Sequence, residues 1–190
     1  MKIVFHLLLA ALITAERASA LSKYKTAPDS PNSGGHLEFL ALGRPAMIRI
    51  KGEAPAPQGE LTINEGLVQG QFRLALASLN TGIEMRDKHM KEKYLEVDKS
   101  PEAILIIESL SLKNLEMGDD LPFEGQLTLH GQKQKVSGKL SYKTPGPTQK
   151  TAHAEFKFKL SEFGIQIPSY AGITVADEVQ LKIDLNLVTD

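Results

Sequence analysis

The side chains able to do chemistry are few and mostly scattered. Arg86, Asp87 and His89 fall together in "TGIEMRDKH" (81–89), while His36, His130 and His153 stand apart. A guanidinium is a planar fork that suits a phosphate or a carboxylate. Asp87 and the histidines are candidate acids or bases. No two histidines stand at i,i+4 and there is no cysteine, so metal-ligand spacing is missing. A nucleophile elbow, a Gly-rich phosphate loop and a paired-carboxylate signature are missing too. This inventory favours binding over turnover, and it implies no cofactor and no metal.

The segment that carries Arg86 and Asp87 is the one stretch that reads as helix, "LNTGIEMRDKHMKEKYLEVDKSPEA" (79–103). Thr81 followed by Glu84 has the spacing of a capping box, and Pro101 prevents continuation. Ile83, Met90, Tyr94 and Val97 stack on one side, giving an amphipathic helix whose apolar stripe must cover something. Arg86 and Asp87 flank that stripe, at about 60° and about 40° from Ile83 on a helical wheel. Charges so placed are costly unless paired or hydrogen-bonded. Two roles for Arg86 fit this position. It anchors the helix to strand ends or loops, or it offers its fork at a pocket mouth, with Asp87 as its partner or as an acceptor from nearby backbone.

Around the helix almost everything alternates with period two. Leu37, Phe39 and Ala41 share a face, as do Ile48 and Ile50, then Phe72, Leu74 and Leu76. Leu127 and Leu129 follow, with "QKQ" after Gly131 read as a short hairpin connection. "AHAEFKFKL" (152–160) sets Ala152, Ala154, Phe156, Phe158 and Leu160 against His153, Glu155, Lys157 and Lys159. "VQLKIDLNL" (179–187) repeats the pattern, whereas "AILII" (103–107) is apolar on both faces, as for a segment buried on both sides or covered, with the helix as one candidate cover. These are eight or nine strands on short turns, which rules out a doubly wound parallel sheet. Closure removes unpaired edges, so the expected fold is all-β: a closed antiparallel barrel of about eight strands, covered by one amphipathic helix. A two-sheet sandwich is the alternative.

Composition and the N-terminus bound the setting. The chain has 190 residues and a formal net charge of −1, without the basic stripe of a nucleic-acid binder. Residues 1–20 have a positive start, an apolar run and a small-x-small "ASA", the form of a cleaved secretory signal. That run is shorter than a membrane-spanning helix needs. Residues 21–35, rich in Ser, Pro and Gly, read as a flexible lead-in, and 36–190 as one domain. The expected product is periplasmic or secreted, with no stable membrane anchor and no disulfides.

Three separated motifs carry a resemblance to a known family. They are Thr-Gly-x-x-x-Arg-Asp-x-His at 81–89, Leu-Thr-Leu-His-Gly at 127–131, and Phe-Gly-Ile at 163–165 followed by Asp-Glu-Val at 177–179. In this order, and over 36–188, the chain resembles the YceI-like family of exported bacterial proteins. The resemblance implies a lipocalin-like barrel that holds a polyisoprenoid or similar long-chain amphiphile. One departure is plain: "GGHLEFLALGRPAMIRIKGEA" keeps only the Phe39 pattern of the His-Ser-x-Val-x-Phe first strand found in many members.

The expected ligand site follows from alternation and from the helix wheel. Phe39, Ile50, Phe72, Leu74, Leu76, Leu127, Leu129, Phe156 and Phe158 would line an apolar tunnel. Arg86, Asp87, Met90 and Tyr94 would come from the helix. Phe163 and Tyr170 would come from "FGIQIPSYAGITVAD" (163–177), a loop too apolar to lie simply on wet surface. The expected partner is a long-chain isoprenoid or similar lipid, with room for a homodimer and no nucleic acid. Two other functions remain open: an interaction module whose barrel is filled by side chains, and a barrel isomerase or cyclase.

Overall fold

Alternating strands that each hide one face can share a single interior only by curling round it. The computed structural model shows this arrangement; it describes residues 21–27, 33–44, 48–170 and 172–189, without the side chain of Tyr170. The proposed signal segment, 1–20, lies outside the described residues. The strands are β1 (Ser22–Thr26), β2 (Gly35–Arg44), β3 (Arg49–Pro55), β4 (Gln58–Asn64), β5 (Leu67–Ala75) and β6 (Glu102–Ser111). After them come β7 (Met117–Leu129), β8 (Gln132–Gly146), β9 (Gln149–Lys159), the short β10 (Ser169–Tyr170) and the long β11 (Ile173–Thr189).

All pairings are antiparallel, and the sheet closes on itself. β11 pairs with β9 along one edge; along the other it pairs first with β2, through Thr174 to Leu185, and then with β1, through Leu187 to Thr189. β1 and β2 therefore lie end to end as one interrupted stave. β3 and β4 form the next stave in the same way, paired to β2 and β1 respectively. Counting each interrupted pair once, the barrel has eight staves.

Several local expectations are corrected. The lead-in 21–35 is not simply a loop, because Ser22–Thr26 is a stave segment with Tyr24 and Thr26 buried and Lys23 and Lys25 outward. Its Ser- and Pro-rich surroundings masked a five-residue alternation. The β7–β8 turn is His130–Gly131 rather than "QKQ", since Leu129 pairs with Gln132. Both turn residues have positive φ, 51° and 74°, the form that matches strand twist across a two-residue hairpin. Glu65–Gly66 makes the same turn between β4 and β5. In β6, Ile104 and Ile106 are not beneath the helix; they sit half-buried between Arg73 and Gln71 on β5 and Thr128 and Gln126 on β7.

The helix α1 (Glu84–His89) is followed by a π-helical turn, Met90–Tyr94, in which the Leu95 N–H reaches Met90 O at 2.9 Å. The extra residue in that turn carries the apolar stripe on from Met90 to Tyr94 and Leu95.

Candidate functional site

The barrel is hollow. A chamber of about 450 Å³ lies under the helix, and a second of about 150 Å³ abuts it toward the other end. Leu37, Leu74, Ala103, Leu127 and Leu181 belong to both walls and lie between the two chambers. The larger volume falls within the usual range of small-molecule sites.

Most of the tunnel residues expected from sequence meet here. Phe39, Ile50, Leu74, Leu76, Leu127, Leu129 and Phe158 line the larger chamber, together with Arg86, Met90 and Tyr94 from the helical segment. Phe72 and Phe156 line the smaller one. Phe163 does not line either chamber. It is fully buried and meets the Phe158 ring edge-on at 5.4 Å, as a plug beneath the 3-10 turn Leu160–Phe163. Other residues of the apolar loop do reach the cavity: Ile165, Pro168, Ile173 and Val175. The side chain of Tyr170 lies outside the described residues. His89, which was not among the expected lining residues, also lines the larger chamber.

The polar corner of this chamber is organised by Thr81. Arg86 Nε donates to Thr81 Oγ1 at 2.8 Å, and Nη2 donates to Thr81 O at 2.8 Å. Asp87 Oδ1 accepts from the Thr81 amide at 2.9 Å and from its hydroxyl. The capping box is thus not formed: Ile83 is the N-cap residue and makes no side-chain bond. Thr81 bonds residues two and three positions beyond Glu84, its capping-box partner, and Arg86 and Asp87 meet through it. At the far end, His130 bridges Phe163 O (3.1 Å) and Glu96 Oε2 (2.9 Å), tying the helix exit to the plug. The hydrogen bonds from Lys99 and His130 hold the Glu96 carboxyl below its ordinary range.

The hollowness has a local cause. Phe39 faces Gly52 across β2–β3, and a Cβ at Gly52 would lie 2.3 Å from Phe39 Cε1. A Cβ at Gly138 would lie 2.8 Å from Phe123 Cε1, and one at Gly118 would lie 2.6 Å from Tyr142 Cε1. Phe72 stands in the same relation to Gly59, at 2.7 Å. Each ring packs closely against the glycine opposite, where no side chain competes for the space, which leaves room along the axis.

One residue in these walls was missed by sequence reasoning. Lys150 is 8% exposed and lines the smaller chamber. Its signal was present: one period-two step back from Ala152 places it on the inward face of β9. Starting that strand at 152 hid it. Among the described residues, no group of three or more His, Cys, Asp or Glu side chains is placed to hold a metal ion.

An eight-stave antiparallel barrel with an apolar, hollow axis and a helical cover defines a protein of the lipocalin-like class. The family model of the YceI-like domain matches residues 36–187, and the chain belongs to that family. Solved structures with the same fold include a polyisoprenoid binding domain from Saccharophagus degradans, at 16% identity and TM-score 0.67, covering 90% of this chain and 100% of that one. BcnA of Burkholderia cenocepacia matches at 17% identity and TM-score 0.64, over 80% and 96%. The YceI protein of Campylobacter jejuni matches at 16% and 0.59, over 77% and 88%. No curated protein matches the chain in sequence.

Proposed function

We propose that this protein is a periplasmic or secreted carrier that holds a polyisoprenoid or other long-chain amphiphilic lipid inside the barrel without transforming it. The observation that carries this reading is the larger chamber, about 450 Å³ and walled almost wholly by apolar side chains, adjoining a second apolar chamber across shared wall residues. Burying a chain there yields about 0.8 kcal/mol per CH₂ removed from water. The signal-like N-terminus supports export, and no described helix is long and apolar enough to cross a membrane. The structural neighbour from Saccharophagus degradans, named for polyisoprenoid binding, supports the ligand class.

Ile83 and Met85 on the cover are more than half exposed yet line the larger chamber, which gives a chain entering past the helix an apolar surface to meet. Arg86, with two donors committed to Thr81, holds that cover at the mouth. The test is mass spectrometry of lipid extracted from protein purified from its native compartment, paired with thermal shifts by prenyl chains. A co-purifying isoprenoid or long-chain lipid is the expected result. An empty extract together with no shift from any chain sinks the carrier reading.

A further inference from the structure

We propose that Lys150 receives the anionic end group of the bound amphiphile, a carboxylate or a phosphate, whose chain runs through the smaller chamber toward the larger one. This inference rests on the lipid-binding reading and adds the polarity of the ligand and the way round it lies.

The observations are geometric. Lys150 shares the inward face of β9 with Ala152, Ala154, Phe156 and Phe158, at the end of the strand away from the helix. Its Nζ donates to Leu115 O at 2.9 Å and to Thr144 Oγ1 at 2.6 Å, and lies 5.5 Å from the centre of the Tyr24 ring. An ammonium has three donors, and these contacts use two. No carboxylate of a described residue forms an ion pair with it, in contrast to Lys139, Lys157 and Lys182, which pair with Asp120, Glu178 and Glu155.

Lysine is almost never buried unless paired, because an uncompensated charge in apolar surroundings is expensive. Burial accordingly pushes the Lys150 amine below its ordinary range, with Glu116 pulling weakly the other way. Holding one carbonyl and one hydroxyl does not require an ammonium; a neutral donor would serve at less cost. The arrangement is a cation that lacks a counter-charge, set in the wall of a cavity able to supply one. Tyr142, whose hydroxyl donates to Asn114 O, and Thr151 stand in the same wall.

The experiment compares two anions with the alcohols of the same chains: laurate with dodecanol, and farnesyl phosphate with farnesol. Calorimetry on the full protein should show each anion binding about tenfold or more tighter than its alcohol, the effect of one hydrogen bond to a charged group. Lys150→Met should keep the alcohol affinities and erase the ratio. Which anion shows the larger ratio tells carboxylate from phosphate. A ratio that survives in Lys150→Met, or is missing from the wild type, overturns the proposal while leaving the lipid reading intact. Binding of no probe overturns both. Should Lys150→Met not fold, the wild type still decides. Laurate labelled with ¹³C at C1 should titrate below its free value when bound opposite an ammonium, and titration at or above that value overturns the assignment.

Discussion

Thr81 shows how much one hydroxyl can organise. It accepts from Arg86 Nε and donates to Asp87, while its own amide and carbonyl bond the same two side chains. The helix start is thereby fixed without a side-chain cap. Thr81→Val keeps the shape and removes the hydroxyl, leaving Arg86 and Asp87 each short of a partner. The expected cost is about 1–2 kcal/mol, read by denaturant unfolding, with faster amide exchange confined to 83–94. Unchanged exchange there would show that the helix is held by its apolar stripe alone. Arg86→Ala should likewise loosen the cover and weaken anionic and neutral ligands by a similar factor, which calorimetry with an acid and its alcohol can check. The sequence placed Arg86 and Asp87 beside the apolar stripe correctly on a wheel. It could not reveal that both converge on Thr81, because Thr-x-x-Glu spacing pointed to a local cap and the actual bonds depend on the positive φ of Gly82, 77°, which turns the chain back.

On the outer wall, β9, β11 and β2 are joined by a ladder of charged and polar side chains. His153 Nδ1 meets Asp184 Oδ1 at 2.7 Å and its Nε2 meets Glu155 Oε1 at 3.1 Å. His36 approaches Asp184 and Glu38, and Lys182 pairs with Glu155. The Asp184 bond raises the His153 affinity for its proton, against partial desolvation and with help from Glu155. A raised folded value means the ladder contributes fully below the ordinary histidine range and fades as pH rises through the folded value. Melting temperature measured from about pH 5 to about pH 9 should therefore fall on the alkaline side, and His153→Gln should flatten that fall. An identical slope in the variant would remove His153 from the account. Strand identity was legible because most staves, β6 excepted, repeat one apolar and one polar face; Phe156 and His153 are opposite sides of one pattern. Strand ends were not, since Lys150 and Ser22–Thr26 lie where polar composition overrides a short alternation.

For the molecule as a whole, the proposal that one chain occupies both chambers makes the wall they share the limit on its length. Ala103 belongs to both walls, and Ala103→Phe would put a ring in the passage. Affinity across a series of alcohols should then stop rising at a shorter chain than in the wild type, since each CH₂ past the block forfeits about 0.8 kcal/mol. Calorimetry over that series, with unfolding as a control for about 1–3 kcal/mol of overpacking, reads the outcome. A curve that still climbs in parallel with the wild type would mean that the chambers do not serve one chain. Closure into a barrel could be inferred from strand count and edges, but an empty axis could not, because Phe39, Phe72, Phe123 and Tyr142 are bulky enough on paper to plug it. What keeps them aside is Gly52, Gly59, Gly138 and Gly118, residues that alternation ignores. The bore of this vessel is therefore drawn by four missing methyl groups. A methyl granted at Gly118 or Gly52 would meet a side-chain ring first and so narrow the bore, whereas at Gly59 or Gly138 it would strike a facing carbonyl oxygen, at 2.1 and 2.2 Å, and push the staves themselves apart.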